Sequence, residues 1–543
     1  MSKKTTIWLL LGISTVLMSL PFLVPHCGFM ALFGLVPLLC ADKISDDAEL
    51  KHFWLKSYLF FLAWNLITTF WVCNATVGGG IFASVANALQ MAVIFGLFRL
   101  SKRKFRGTLP YLFLMFAWIA WERYYLNSAQ ISWPWLVLGN AFARSIGSIQ
   151  WYEYTGTLGG SLWIWACNLS VFGMMTALGD GRFFTHWNIK ARIASAVGLL
   201  VLIAGPFILS AMIWNRYEES DEELECLILQ PNFDPYHKFE FLTQKQQDST
   251  LVSMIEEALE SDGELPDSCR APLLLVAPET FTSNVVTNDI TSGRTWQTFL
   301  SMLQDHRNAN ILFGASSREY IFRRNRPSYT ARPAGDGVWS ESHNSALIMN
   351  CTGETSIFHK SKLVVGVEMT PYPSFFTKID DRLGGVMGRC IGQDEITILN
   401  FRSEDESICI PLGCAICYES IYGEYCTGYI RKGARALIVI TNDAWWGNTP
   451  GYKQHCSYSS LRAIETRRDI ARCANTGISC FIDQRGRILE KSDWWKKETL
   501  RGQIKLNDKL TFFSIHGDIV GRVSTFCFLL LLLSLIIRFL TRR

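Results

Sequence analysis

The hydrophobic pattern divides the chain into stretches of two kinds. In the first 214 positions apolar residues run in blocks rather than alternating: residues 7–24, 28–41, 53–72, 81–98, 109–121, 158–178 and 193–214, with an eighth block at 523–540. The hydrocarbon core of a bilayer takes about 20 helical residues, so these blocks predict eight membrane-spanning helices. The second and fifth are short; either flanking aromatics extend them or they are half-buried hairpin elements. The first block follows Lys3 and Lys4 as a signal peptide would. The sequence Val24-Pro25-His26-Cys27 lacks a small-residue cleavage site, so the block reads as a retained span.

Between the seventh and eighth blocks the pattern changes. Short apolar runs at residues 227–229, 273–276, 311–313, 346–349, 408–410, 415–416, 436–440 and 480–482 have the length and β-branched content of buried strands. Polar stretches of helical pattern lie between them, at residues 244–259 and 455–474. This alternation predicts an α/β layered domain. The expected organisation is a membrane domain over residues 1–215, an α/β domain over 216–520, and a final span and tail over 521–543.

Composition supports the membrane assignment: charged residues are 18% of the chain, against roughly 25% in soluble proteins, and 19 residues are Trp. The net charge of +4 is too small to argue for a nucleic-acid partner. Its distribution says more. Lys3 and Lys4, then Lys43, Lys51 and Lys56, the Arg99–Arg106 cluster, Arg182, Lys190 and Arg192, and Arg538, Arg542 and Arg543 fall in alternate loops, whereas residues 73–80 carry no charge. The positive-inside rule puts both termini in the cytoplasm and residues 216–521 on the far side, which in a Gram-negative cell is the periplasm. Sixteen cysteines read mainly as small buried hydrophobes in so long a chain, although Cys351, Cys390, Cys409 and Cys426 could pair in an oxidising compartment.

Three predicted strand ends carry reactive groups, and side chains at such ends project from a rigid edge into a crevice. Glu279 follows the run 273–276, and a partly desolvated carboxylate there suits general-base work. Lys360 and Lys362 follow Phe358-His359; a cation can stabilise an oxyanion and lower a neighbouring thiol's pKa, and spacing does not choose between the two lysines. Cys417 ends the apolar run 415–416 and could attack a carbonyl. Its C-x-x-C spacing with Cys414 would also suit redox or zinc chemistry, but no second such pair or His pair accompanies it.

Glu279, Lys360 and Cys417 in this order resemble the Glu–Lys–Cys triad of the nitrilase superfamily. Supporting matches are Asn344-Ser345-Ala346, Thr441-Asn442-Asp443-Ala444-Trp445-Trp446-Gly447, Gln454-His455, Arg462-Ala463-Ile464-Glu465 and Asn475-Thr476-Gly477. The resemblance implies a four-layer αββα sandwich over about residues 222–507. Such a domain before the last of eight spans resembles the apolipoprotein N-acyltransferase family, as do Ser132-Trp133-Pro134-Trp135, Glu153-Tyr154-Thr155-Gly156, Gln230-Pro231-Asn232, Thr511-Phe512 and Gly517-Asp518.

That resemblance implies a two-step acyl transfer. Cys417 takes an acyl chain from a phospholipid, typically phosphatidylethanolamine, and passes it to the α-amino group of a diacylglyceryl-cysteine at an apolipoprotein N-terminus. Glu279 is the expected base, and Lys360 with the Tyr418 N–H the expected oxyanion support. Glu368, Tyr418 and Glu419 match supporting residues, and Phe239 falls where the family has a functional Trp. No cofactor or metal is implied; the expected setting is the bacterial inner membrane. Lys362 stands where the family has His, Phe358 where it has Tyr, and residues 364–368 depart from the family's loop. The basic stretch 318–342 is either a solvated insertion or a contact for phospholipid headgroups. The competing reading is a membrane-tethered amidase whose thioester is resolved by water.

Overall fold

A computed structural model describes residues 2–238, 241–260, 271–382 and 387–541. The chain forms two compact units. One comprises Met1–Ala129, Trp133–Tyr217 and His516–Arg543; the other comprises Gln130–Ser132 and Glu218–Ile515.

In the first unit every predicted span is helical. Among the described residues six helices are long and apolar enough to cross a membrane: Lys3–Leu23, Gly28–Asp47, Val77–Ser101, Tyr152–Gly179, Ile189–Arg216 and Ile519–Leu540. The other two predicted spans form the helices Phe53–Thr69 and Leu109–Asn127. The second block is longer than its apolar run because Asp42 is buried in it and paired with Arg99 (3.1 Å). Asn65 and Asn87 pair across neighbouring helices (2.7 Å), and Asn168 donates to the carbonyls of Ala31 and Ile164 (2.8 Å each). Polar atoms buried among apolar helices thus meet one another.

Among the described residues the second unit holds fourteen strands. In chain order they are β1 Glu223–Gln230, β2 Leu273–Val276, β3 Thr282–Val286, β4 Ala309–Phe322, β5 Arg332–Gly335, β6 Val338–Met349, β7 Thr355–His359, β8 Leu399–Arg402, β9 Cys409–Ile416, β10 Ala436–Thr441, β11 Ile470–Ala474, β12 Cys480–Ile482, β13 Ile488–Lys491 and β14 Glu498–Lys505. They build an eight-stranded sheet, ordered β14-β1-β2-β4-β6-β5 with β3 on β4 and β7 on β6, and a six-stranded sheet ordered β13-β12-β11-β10-β9-β8.

The two-residue period of a strand explains the layers. On β1, Leu224, Cys226 and Ile228 join a core shared with Leu412, Cys414, Ile416, Ile438 and Ile440 of the other sheet. Leu227 and Leu229 face the opposite way, against Leu251, Met254 and Ile255 of the helix Gln244–Leu259 and Phe299 and Met302 of the helix Arg294–Asp305. The helices Gly423–Arg431 and Pro450–Thr466 supply buried side chains such as Tyr429 and Cys456 to the core of the second sheet. The expected αββα sandwich is therefore present.

One expectation changes. The helix expected over 455–474 ends at Thr466, Arg467 turns into the left-handed region (φ +50°), and Ile470–Ala474 is β11. The basic stretch 318–342, open in the sequence between a solvated insertion and a headgroup contact, has a regular structure. It is a ribbon in which β4 and β6 pair without a break from Ile311↔Met349 to Phe322↔Val338, with β5 on the outer side of β6. Among the described residues Cys351, Cys390, Cys409 and Cys426 form no disulfide.

Candidate functional site

Each of the three reactive residues lies just beyond a strand of the sandwich. Glu279 is three residues past the end of β2, Lys360 directly follows β7, and Cys417 directly follows β9. The β4 backbone passes so close to Glu279 that a Cβ at Gly314 would lie 2.6 Å from the Glu279 Cα and from the Thr280 N. Only glycine permits that approach. Thr280 and Cys417 both adopt left-handed backbone conformations (φ +48° and +51°). Such residues carry about 1–3 kcal/mol of strain and persist where their surroundings fix them.

Those surroundings are dense. Glu279 is buried, and its Oε1 accepts from Lys360 Nζ (3.1 Å) and Asn344 Nδ2 (2.8 Å), while Oε2 accepts from the Asn442 N–H (3.1 Å). Lys360 also donates to Glu368 Oε1 (2.9 Å). Asn344 Nδ2 reaches the same Glu368 oxygen (2.6 Å), and Glu368 Oε2 accepts the Val364 N–H (2.7 Å). Lys360, flanked by two carboxylates, holds its proton well beyond the ordinary range: burial pulls its pKa down, and Glu279 and Glu368 more than reverse that.

Cys417 lies in the field of both Glu279 and Lys360, and the nearby Thr441 hydroxyl donates to Asp443 Oδ1 (2.9 Å). Burial, reinforced by the Glu279 charge, raises its thiol above the usual value although Lys360 opposes the shift. At rest the Cys417 side chain is thus a thiol, and a base beside it would be needed to ionise it. Cys414, on β9, is fully buried in the inter-sheet core.

The Cys417 turn is held from both sides. Glu419 Oε2 accepts the Ile416 N–H (2.8 Å), and Oε1 accepts the Ser361 N–H (2.6 Å), the Lys362 N–H (3.2 Å) and the Tyr425 hydroxyl (2.9 Å). Glu419 therefore ties the lysine loop to the cysteine turn. The Cys417 carbonyl accepts from Ser420 Oγ (2.7 Å) and faces His455 Nε2 (3.1 Å). His455 Nδ1 lies 2.9 Å from Asp443 Oδ1, and Arg472 donates to Asp443 Oδ2 (2.8 Å). Burial works against the Asp443 charge, but Arg472 and His455 outweigh it and hold the carboxyl down to about 2. Tyr418 donates its hydroxyl to the Ser132 carbonyl (3.1 Å). Lys362 lies over the rings of Tyr422 and Tyr425 (5.4 and 5.9 Å), away from the Glu279–Glu368 pair that Lys360 serves.

Glu279, Lys360, Glu368 and Glu419 thus meet around the Cys417 turn. Phe239 lies outside the described residues. In the sequence Asn344 stands out only as part of a motif, and nothing there foretells that it spans Glu279 and Glu368. Lys238 does not stand out at all. That lysine is buried, donates to the Thr280 carbonyl and, desolvated with Glu279 opposing, has its pKa lowered to about 7. A lone lysine beside an aromatic gives no signal. Residues 443–452, which an apolar and aromatic composition suggests as a lid or interfacial arm, are anchored at both ends, where Asp443 is fully buried and Tyr452 stacks on Trp494 (4.1 Å), while Trp445 and Trp446 are half-buried and Asn448 is exposed. In the similar stretch 363–376 Val367, Tyr372 and Phe375 are exposed.

Known proteins resemble the chain in both parts. The carbon-nitrogen hydrolase family matches residues 243–509, and the apolipoprotein N-acyltransferase N-terminal domain matches residues 14–170. The apolipoprotein N-acyltransferase of Chlorobaculum tepidum is 28% identical over 506 residues, covering 92% of this chain and 90% of its own. The protein of the same name from Geobacter metallireducens is 25% identical over 525 residues, covering 94% and 92%. Among solved structures, Saccharomyces cerevisiae Nit3, a member of branch 10 of the nitrilase superfamily, aligns with 56% of this chain and 96% of its own at 13% identity and a TM-score of 0.36.

Proposed function

The chain belongs to the apolipoprotein N-acyltransferase family, and we propose that it carries out that family's acyl transfer through a thioester on Cys417. It is an N-acyltransferase of lipoproteins and a bacterial membrane protein. The observation that carries the proposal is the convergence of Glu279 and Lys360 on Cys417.

In the first step Glu279 takes the Cys417 thiol proton as the sulfur attacks the ester carbonyl of a phospholipid. The negative charge that develops on the carbonyl oxygen is met by the Lys360 ammonium and the Tyr418 N–H. Such preorganised donors are worth about 3–4 kcal/mol each in a water-excluded site. Collapse expels the lysophospholipid alkoxide, which receives the proton from Glu279 and leaves the thioester. In the second step the α-amino group of the diacylglyceryl-cysteine attacks the thioester. Glu279 accepts the ammonium proton, an amide forms, and sulfur leaves to be reprotonated. Glu368 and Asn344 keep Lys360 and Glu279 aligned through both steps, and Glu419 holds the two loops in register.

Phosphatidylethanolamine is the proposed donor. The loop charges support a periplasmic α/β domain over residues 216–520 between spans, where both lipid substrates reach Cys417 from the bilayer. The test is intact-protein mass spectrometry of the full chain with phospholipid. Cys417→Ala is expected to lose the hydroxylamine-sensitive acyl adduct and Cys414→Ala to keep it. An adduct surviving in the Cys417 variant would remove the nucleophile from this scheme. Water as sole acceptor, with no triacylated lipoprotein peptide formed, would remove the transferase.

A further inference from the structure

The site accounts for the ester and the amine but not for the donor's phosphate, and the β4–β6 ribbon offers a place for it. Directly opposed residues of an antiparallel pair point to the same face, and alternate residues along a strand share it. The unbroken register makes one face of the ribbon from Ser316↔Asn344, Arg318↔Ser342, Tyr320↔Ser340 and Phe322↔Val338, with Arg332 of β5 opposite Ser340. Farther in, the same face carries Leu312, Ala346 and Ile348, which belong to the core between the sheets. Asn344, the residue that touches both Glu279 and Glu368, therefore begins a strip that runs out of the sandwich along one surface.

Charges sort by face along this strip. Arg318 and Arg332 are on the Asn344 side, whereas Glu319 and Glu341 are opposed to each other on the reverse side. Both arginines are exposed, and neither guanidinium makes a hydrogen bond or ion pair among the described residues. Two residues of a strand advance about 7 Å. The Arg318–Ser342 row is thus one step from Asn344, and the Arg332–Ser340–Tyr320 row is two. Ser342 also bridges to Cys390, whose N–H donates to the Glu368 carbonyl (2.7 Å) and whose thiol feels Glu368, Lys360 and Arg332 together. Arg332 and the Glu368–Lys360 pair thus act on one common side chain, Cys390. Phe322, 78% exposed, ends the strip with an apolar surface.

We propose that this face of the ribbon is the subsite for the donor's phosphodiester, with Arg318 and Arg332 as its cations and the Ser340 and Ser342 hydroxyls beside them. The inference rests on the acyl-transfer reading. A phospholipid joins its scissile ester to its phosphate through a glycerol, so a donor held by Cys417 at one end presents an anion a short way from the Glu279–Glu368 pair. Guanidinium forks bind phosphate oxygens in pairs, and a headgroup-independent contact of this kind selects phosphodiester lipids from neutral ones.

The experiment uses the full chain in nanodiscs and follows acylation of Cys417 by intact-protein mass. The donors are dioleoyl phosphatidylethanolamine, dioleoyl phosphatidylglycerol and, lacking phosphate, p-nitrophenyl palmitate. In R318Q/R332Q the concentration of either phospholipid giving half-maximal acylation is expected to rise by roughly tenfold or more. R318K/R332K recovers part of the loss, and acylation by p-nitrophenyl palmitate is unchanged. Unchanged phospholipid dependence overturns the subsite. So does an equal loss with all three donors, which would make the ribbon merely structural, or a defect confined to the KM of a diacylglyceryl peptide acceptor, which would make it a lipoprotein contact. Failure of the underlying reading is seen separately: the wild-type chain would then take acyl groups from p-nitrophenyl palmitate and from neither phospholipid.

Discussion

Glu419→Gln separates positioning from chemistry at this site. The carboxylate accepts four donors, three on Oε1 and one on Oε2. A glutamine keeps one oxygen, and its least costly orientation leaves that oxygen toward Ser361, Lys362 and Tyr425. Its NH2 then faces the Ile416 N–H, donor against donor. An unsatisfied buried group costs about 1–3 kcal/mol, and the remaining bonds weaken as the charge is lost, so about 3 kcal/mol is removed from the joint between the two loops. Ile416 directly precedes the left-handed Cys417, and releasing its N–H lets that turn relax out of its strained conformation. A 3 kcal/mol penalty on the reactive geometry corresponds to about two orders of magnitude in rate. Single-turnover acylation of Cys417 followed by intact mass is the assay, with Cys414 protection from alkylation reporting that the core is intact. A variant that acylates within threefold of wild type would refute the positioning argument. The pH dependence gives a second reading. Burial pushes the Glu419 pKa up to about 7, with the Ile416, Ser361 and Lys362 N–H groups and the Lys360 charge opposing. A carboxyl whose native pKa lies above its ordinary 4.5 binds more protons folded than unfolded between those values. Its contribution to stability therefore falls as pH rises from about 4.5 to about 7, and that slope is expected to vanish in the glutamine variant.

Three further outcomes follow from the same contacts. Lys360→Met leaves Glu279 and Glu368 buried without their shared cation; this is expected to cost about 3–5 kcal/mol, read as a lower thermal midpoint, and to abolish acylation. Adding Glu368→Gln is expected to restore the midpoint but not the acylation. Gly314→Ala drives a methyl against the Glu279 and Thr280 backbone, which cannot yield as a side chain would. A loss of about 1–3 kcal/mol and slowed thioester formation are expected, and unchanged kinetics would show that the strand shifts without moving Glu279. Asp443, held down to about 2 by Arg472 and His455 against its burial, contributes stability that is complete above about pH 4 and lost as pH falls toward about 2. Protease resistance of the wild-type α/β unit is expected to fall across that window, and Asp443→Asn to be less resistant already at neutral pH.

The sequence made legible what depends on one strand at a time. Short apolar runs mark strands buried on both faces, and reactive residues just past them mark site candidates; Glu279 and Cys417 follow this rule, whereas Lys360 follows the half-buried β7, in which only Phe358 is buried, and stood out through its motif. The end of the helix at Thr466 was hidden because Arg467 takes its left-handed turn with no glycine or proline nearby, and Ile470–Ala474 is rich in residues that also suit a helix. Partnership between strands is a different kind of information. β1 pairs with β14 across more than 260 residues of chain, and nothing in either run names the other. Asn344 bridges two carboxylates only because β6 lies between β4 and β7, which sets its side chain on the face where Glu279 and Lys360 arrive. The same register decides what lies beyond it. Shifting β4 against β6 by one residue would exchange the faces, setting Glu319 and Ile321 beside Ser340 and Ser342 in place of Arg318 and Tyr320. The basic stretch, open in the sequence between a solvated insertion and a headgroup contact, is sorted by parity: the unbroken pairing that places Asn344 beside Glu279 and Glu368 also places two arginines, and neither glutamate, on the surface leading away from them.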